Sequence, residues 1–247
     1  MKMLTGIIGS GLVVLINSTA ESADFTNLGF ESANLPSIPR GQSGTQQPMN
    51  LALPGWQAFL GGDAATTVWH NSQTLGDASV SVFGPDYGAL IYEGNYAVLL
   101  RPGVSPITHT AFVDVNLTQT GTVPDGIQSL QFFGKASSIV PTEEERFGVF
   151  VNEQKLGVFT LAAEASYNTY AVDVSSFAGQ EVTLRFTAFW IDSVPNSLSL
   201  DAINFSPIPV PEPSTVALLL VGGLLCVSRQ YRRLRRTRSP SSLVRRP

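Results

Sequence analysis

The chain reads as an all-β sandwich carried between two apolar end segments. Three observations predict this. Between residues 24 and 205, short apolar runs are separated by Gly, Pro, Asn, Asp and Ser, and no long amphipathic helical pattern interrupts them. About nine such runs need two packed sheets if each is to bury one face. Uncharged apolar stretches, 4–16 and 215–227, bracket this region.

At the N-terminus, Lys2 precedes the run 4–16, and Ser18-Thr19-Ala20 and Ser22-Ala23 follow. A short positive region, an apolar stretch and small residues in that order form a secretory signal peptide, here 1–23, with cleavage after Ala20 or Ala23. The alternative is a buried helix, but such helices are usually amphipathic and this one is apolar all round.

The body, 24–205, comes next. Its first strands are expected at 78–83 and 96–100, and residues 38–53, rich in Pro, Gly and Gln, are expected as a loop or an excursion. Residues 111–117 alternate cleanly, which predicts Ala111, Val113, Val115 and Leu117 on the core side and Asp114 and Asn116 toward solvent. Strands follow at 129–136, 146–151, 155–160 and 167–174, with a hairpin across Asn152-Glu153-Gln154 and a solvated loop at Glu143-Glu144-Glu145. In 181–190, Val182, Leu184 and Phe186 point one way and Thr183, Arg185 and Thr187 the other. The last strand is expected at 198–205.

Residues 206–213 form a Pro-rich spacer, 214–228 a short hydrophobic helix and 229–247 an Arg-rich tail. A helix over 214–227 spans about 21 Å, less than the roughly 30 Å hydrocarbon core, so it is short for a membrane span. Arg229, Arg232, Arg233, Arg235 and Arg236 behind it should stay on the cytoplasmic side. The motif Pro211-Glu212-Pro213, then a short apolar helix, then clustered arginines resembles a PEP-CTERM sorting signal. The resemblance implies passage through the secretion machinery, processing by an exosortase-like membrane protease, a membrane intermediate held by the C-terminal helix, and delivery to the cell surface or extracellular matrix. An ordinary single-pass anchor is the alternative.

Charge divides the chain in the same way. Residues 24–210 carry six basic and seventeen acidic side chains, a net charge of −11, whereas eight arginines and one acid follow Val210. An acidic body argues against nucleic acid as a partner. The only cysteine, Cys226, lies in the tail helix, so no intrachain disulfide can staple the body.

A second resemblance spans nearly the whole body. Asn27-Leu28-Gly29-Phe30-Glu31, Pro54-Gly55-Trp56, Glu93-Gly94-Asn95-Tyr96 and Leu200-Asp201-Ala202-Ile203, in that order, resemble jelly-roll domains of the galactose-binding and carbohydrate-binding-module type. That implies a jelly-roll β-sandwich with carbohydrate-binding ability, exopolysaccharide being the natural ligand for an exported protein. It also implies a structural calcium held by Glu31 and Asp201, although Ala202 stands where the pattern usually has a second acid. An unshifted last strand would aim Asp201 inward with Ile203 and Phe205, where a carboxylate needs a cation; a bulge would turn it outward.

For sugar binding, Trp69-His70-Asn71 is the expected exposed patch, with Tyr92 beside it in the candidate set; Trp56 is expected in the core. Catalysis fits poorly. The chain has no Gly-x-Ser-x-Gly, no His-Glu-x-x-His and no phosphate-cradling Gly loop. The sequence therefore predicts a non-enzymatic exported protein, with a purely structural matrix role and, last, a glycoside-active hydrolase as alternatives.

Overall fold

The computed structural model describes residues 23–39, 42, 44–138, 145–160, 166–191 and 196–210. The signal segment 1–22, Pro211-Glu212-Pro213, the helix 214–228, its flanking arginines and Glu143-Glu144 lie outside the described residues.

Fifteen strands follow in chain order: β1 (Thr45–Pro48), β2 (Gln57–Leu60), β3 (Asp63–Ala64), β4 (Thr67–His70), β5 (Ser79–Phe83), β6 (Ala97–Arg101), β7 (Gly103–Val104), β8 (Phe112–Val113), β9 (Val115–Thr122), β10 (Ser129–Ser138), β11 (Glu145–Val151), β12 (Gln154–Thr160), β13 (Asn168–Asp173), β14 (Glu181–Ala188) and β15 (Asn196–Ser206). They build a seven-stranded sheet, β1-β4-β5-β6-β15-β10-β13, and a six-stranded sheet, β12-β11-β14-β9-β2-β3, with β7-β8 as a separate hairpin. All pairings are antiparallel except β4 with β5. From β9 onward the chain alternates between the two sheets, except that β11 and β12 form a hairpin within the six-stranded one; the arrangement is a jelly roll.

Alternation builds the core. On β14, Val182, Leu184 and Phe186 are buried; on β9, Val115 and Leu117 are. Leu130 and Phe132 of β10 and Leu198 and Leu200 of β15 meet them from the other sheet. Phe132, Phe147 and Phe186 pack edge to face and stacked, with centroids 5.3–6.1 Å apart. Trp56 is buried as expected, between Phe30 and Phe186. Its indole N–H donates to the Asn27 carbonyl at 3.0 Å, so the ring is buried without an orphaned donor.

Two local expectations are corrected. Residues 111–117 are not one strand: the ladder breaks at Asp114, whose carboxylate accepts the Trp190 N–H at 2.7 Å and whose carbonyl accepts the Gly61 N–H at 2.8 Å. Phe112–Val113 peel away to pair with Gly103–Val104, leaving Ala111 exposed and Val113 half-buried rather than in the core. Residues 38–53 are not only a loop, because buried Met49, Ala52 and Leu53 anchor strand β1 and a single helical turn, α1 (Met49–Ala52). Thr187 faces away from the core yet is buried, donating to Asn116 Oδ1 at 2.7 Å. The expected hairpin is present with Asn152 and Glu153 as its two turn residues, both at positive φ (47° and 64°), as a tight antiparallel turn requires.

Candidate binding cleft and an acidic pocket

The face of the six-stranded sheet turned away from the core is polar and concave. Alternation puts Gln57 and Phe59 of β2, Asn116, Thr118 and Thr120 of β9, and Thr183 and Arg185 of β14 on it. Register aligns them in rows: Phe59 with Asn116 and Thr187, Gln57 with Thr118 and Arg185, Thr120 with Thr183. Together with Gly55, Gly61, Gln119 and Glu153 they line an open cleft of about 580 Å³.

Hydrogen bonds fix several of these side chains in place. Thr120 and Thr183 hydroxyls meet at 2.8 Å, and Asn116 is held by Thr187. Arg185 donates from Nη2 to Glu153 at 2.7 Å while its guanidinium carbon lies 4.3 Å from the Phe150 ring centroid. Glu153 is itself placed by its turn, where Asn152 Oδ1 accepts the Thr183 N–H at 2.8 Å. The result is a row of preset amide and hydroxyl groups with one half-buried ring, Phe59, an arrangement able to hold a polyhydroxylated ligand. Glu153 is the one carboxylate among the described residues lining the cleft.

Polar outward positions on β14 were legible in the sequence, but their union with β2 and β9 was not. It depends on which strands neighbour β14, and sequence spacing does not report that.

On the other sheet, Glu31 and Asp201 do come together. They line a pocket of about 370 Å³ with Glu93, Gly94 and Asn204. The last strand is shifted: the β10–β15 register slips between Gln131 and Phe133, and Ala202 adopts φ 47°. Leu200 and Ile203 both face the core, so Asp201 is turned to the outer face, opposite to an unshifted strand. It is nonetheless only 1% exposed, because the 92–95 segment covers it. Its carboxylate accepts N–H groups of Tyr92 (2.8 Å), Glu93 (3.1 Å) and Ala202 (2.7 Å). Burial, seconded by the charge of Glu31, still outweighs these bonds and pushes its pKa up to about 6. Glu31 accepts from the Asn95 and Tyr96 amides, at 2.9–3.0 Å.

The donors in this pocket are hard oxygens, which suit calcium. Calcium takes six to eight oxygens, however, and among the described residues no group of three or more His, Cys, Asp or Glu is gathered to hold a metal. Backbone or Asn oxygens would have to complete the shell.

The expected Trp69-His70-Asn71 surface patch does not form. His70 and Asn71 are 2% and 3% exposed, and Asn71 Oδ1 accepts the Gly84 N–H at 2.7 Å. His70 lies on the same side of β4 as core Val68, and burial lowers its pKa. Trp69 alone remains half-exposed, beside a smaller cleft of about 280 Å³ with Asp63, Thr67 and Ile107. Tyr92 is exposed; its backbone amide donates to Asp201 of the acidic pocket, and its ring stacks on Phe133 with centroids 3.7 Å apart.

Residues 209–233 match the PEP-CTERM protein-sorting motif. This motif marks the chain for export to the cell surface or beyond. Among the described residues no helix is long and apolar enough to cross a membrane. A search of curated proteins finds no match. Similar solved structures include the module TmCBM61 in complex with β-1,4-galactotriose, 10% identical over 75% of this chain and 99% of that one, with a TM-score of 0.45. The K1 cleaved adhesin domain of Lys-gingipain from Porphyromonas gingivalis W83 is 15% identical over 67% and 98%, with a TM-score of 0.42. The family 11 carbohydrate-binding module of the cellulase Lic26A-Cel5E of Clostridium thermocellum is 10% identical over 72% and 99%, with a TM-score of 0.37.

Proposed function

We propose that the sandwich is a non-catalytic saccharide-binding module of an exported surface or matrix protein, and that it holds a glycan chain along the outer face of the six-stranded sheet. One observation carries this reading: the cleft of about 580 Å³ whose walls are amides and hydroxyls at alternate positions of three adjacent strands, with Phe59 and the Arg185–Glu153 ion pair among them. Sugars present hydroxyls on their edges and apolar C–H faces, so they need such a mixture. Exopolysaccharide is the ligand that an exported protein would meet. A glycoside-hydrolase reading fares worse, since that chemistry needs two carboxylates flanking the bond and the cleft is lined by Glu153 alone among the described acids.

Processing at Pro211-Glu212-Pro213 by an exosortase-like membrane protease, with a membrane-held intermediate, belongs to the same proposal, supported by the sorting motif. So does a calcium ion at Glu31 and Asp201, supported by their shared pocket and the burial of the Asp201 carboxylate.

Calorimetric titration of the purified protein with a panel of neutral and acidic polysaccharides tests the binding reading. Saturable binding to at least one, weakened by Asn116→Ala, is expected. Absence of binding to all of them, with and without calcium, would leave the purely structural matrix role, which the exposed Leu75, Ile107 and Phe112 favour as a self-association surface.

A further inference from the structure

We infer that the cleft selects neutral saccharides against acidic ones, and that Glu153 is the residue that makes this choice. The inference rests on the saccharide reading above and names the ligand class.

Arg185 is the one cation lining the cleft among the described residues. In a site open to an acidic sugar, such a guanidinium would be the natural partner of a uronate carboxylate. Here one of its donors is already taken by an acid of this chain. Glu153 takes the Nη2 donor at 2.7 Å, and the guanidinium is packed against the ring of Phe150, its partner in the β11–β14 register. Glu153 reaches it from a turn with two successive positive-φ residues, and Asn152 is tied to β14 through the Thr183 N–H. The acid is therefore delivered to Arg185 by backbone geometry rather than by a chance contact of two surface chains. Its side chain is nevertheless 80% exposed, so it is open to exchange with a competing anion.

A uronate would have to displace Glu153 to reach Arg185, and would then lie beside the displaced carboxylate. Lys155, across from Phe150 on β12, does not line the cleft. Beyond the cleft the body carries a net −11, which repels a polyanion at long range. A neutral chain meets none of these terms and uses Gln57, Asn116, Thr118 and Thr183 instead.

The test compares wild type and Glu153→Gln in the full protein, using hexamers of neutral glucose or galactose and a hexamer of galacturonic acid, titrated at low salt. Glu153→Gln frees Arg185 without changing its position at the surface, and a melting curve checks its fold. Wild type should bind a neutral hexamer and take galacturonate at least about tenfold more weakly; in the variant the ratio of galacturonate to neutral affinity should rise about tenfold. Glu153→Gln/Arg185→Gln should lose that gain. Preference of wild type for galacturonate, or no gain in the variant, overturns the inference while leaving saccharide binding intact. No binding of any probe by either form instead sinks the saccharide reading itself.

Discussion

The amide of Tyr92 donates to Asp201 at 2.8 Å, while the ring of the same Tyr92 stacks on Phe133, the register partner of Asp201 on β10. The stack pins the 92–95 segment over a carboxylate that burial would rather see neutral. The folded pKa of Asp201, about 6, lies above its ordinary 3.8, so the folded state holds the proton more tightly than the unfolded one. Its contribution to stability is then fully present below pH 3.8 and is lost as pH rises through 6. In metal-free protein the loss amounts to about 1–3 kcal/mol across that window. Subtracting the Asp201→Asn stability curve from the wild-type curve between pH 4 and 7, by urea unfolding with a chelator present, should leave a downward slope. Parallel curves would show that Asp201 ionises as freely in the fold as outside it.

Calcium should reverse that dependence. A cation between Glu31 and Asp201 favours the ionised carboxylate, so its stabilisation grows with pH. At a concentration about 100 times its Kd the ion adds about 2.7 kcal/mol, equivalent to several degrees in Tm for a domain of this size. Glu31→Gln should remove most of the shift. An identical Tm with calcium and with chelator at pH 7 would refute the site.

Core and surface aromatics should separate sharply in stability. Phe186 touches Trp56, Phe132 and Phe147, and truncation to Ala should cost about 3–5 kcal/mol. Phe112, stacked on Trp190 at 4.1 Å but 55% exposed, should cost about 1 kcal/mol or less as Ala. Comparable losses for the two, measured by chemical unfolding, would contradict the layer assignment.

The cleft offers a binding counterpart. Asn116→Ala removes one neutral hydrogen-bonding group and should weaken a saccharide by about 2–10-fold; it also takes the acceptor from the buried Thr187 hydroxyl, which should cost about 1–3 kcal/mol of stability. Unchanged affinity in titration, for a glycan that wild type binds, would place the ligand elsewhere, with the Trp69 cleft next to be examined.

Much of this fold was visible in the sequence because period-2 alternation is a local signal. Val182, Leu184 and Phe186 announce a core face by themselves, and so do the turn residues Asn152-Glu153. The failures share a cause. Val113 carries the right pattern, yet Asp114 accepts a hydrogen bond from Trp190, 76 residues on, and this ends the strand. His70 and Asn71 look like surface polar residues, but Asn71 serves the Gly84 amide and His70 faces inward on a strand whose neighbours the sequence does not name. Asp201 turned the other way because of one bulge in β15. The cleft needed three strands brought side by side from residues 57–60, 115–122 and 181–188, a long-range fact with no local trace.

The two chain ends make the last prediction geometric. Phe25 packs on Phe205 at 5.3 Å, the Ala23 carbonyl accepts the Thr122 N–H, and Ser129 bonds the carbonyl of Ile208, so the chain enters and leaves the sandwich at the same end. Glu212 lies four positions beyond Ile208, about 14 Å when extended. The membrane-bound protease proposed above would have to work within about that distance of the folded end, with the 206–213 spacer setting its clearance. Mass spectrometry of the exported protein should find a C-terminus close to Glu212 and no arginine cluster. Deleting residues 207–209 should pull the motif against the folded end and cause the uncut form to accumulate in the membrane fraction. A mature protein that keeps Arg229 to Arg236 would make the tail a lasting anchor, and normal cutting of the shortened spacer would show that clearance does not govern access.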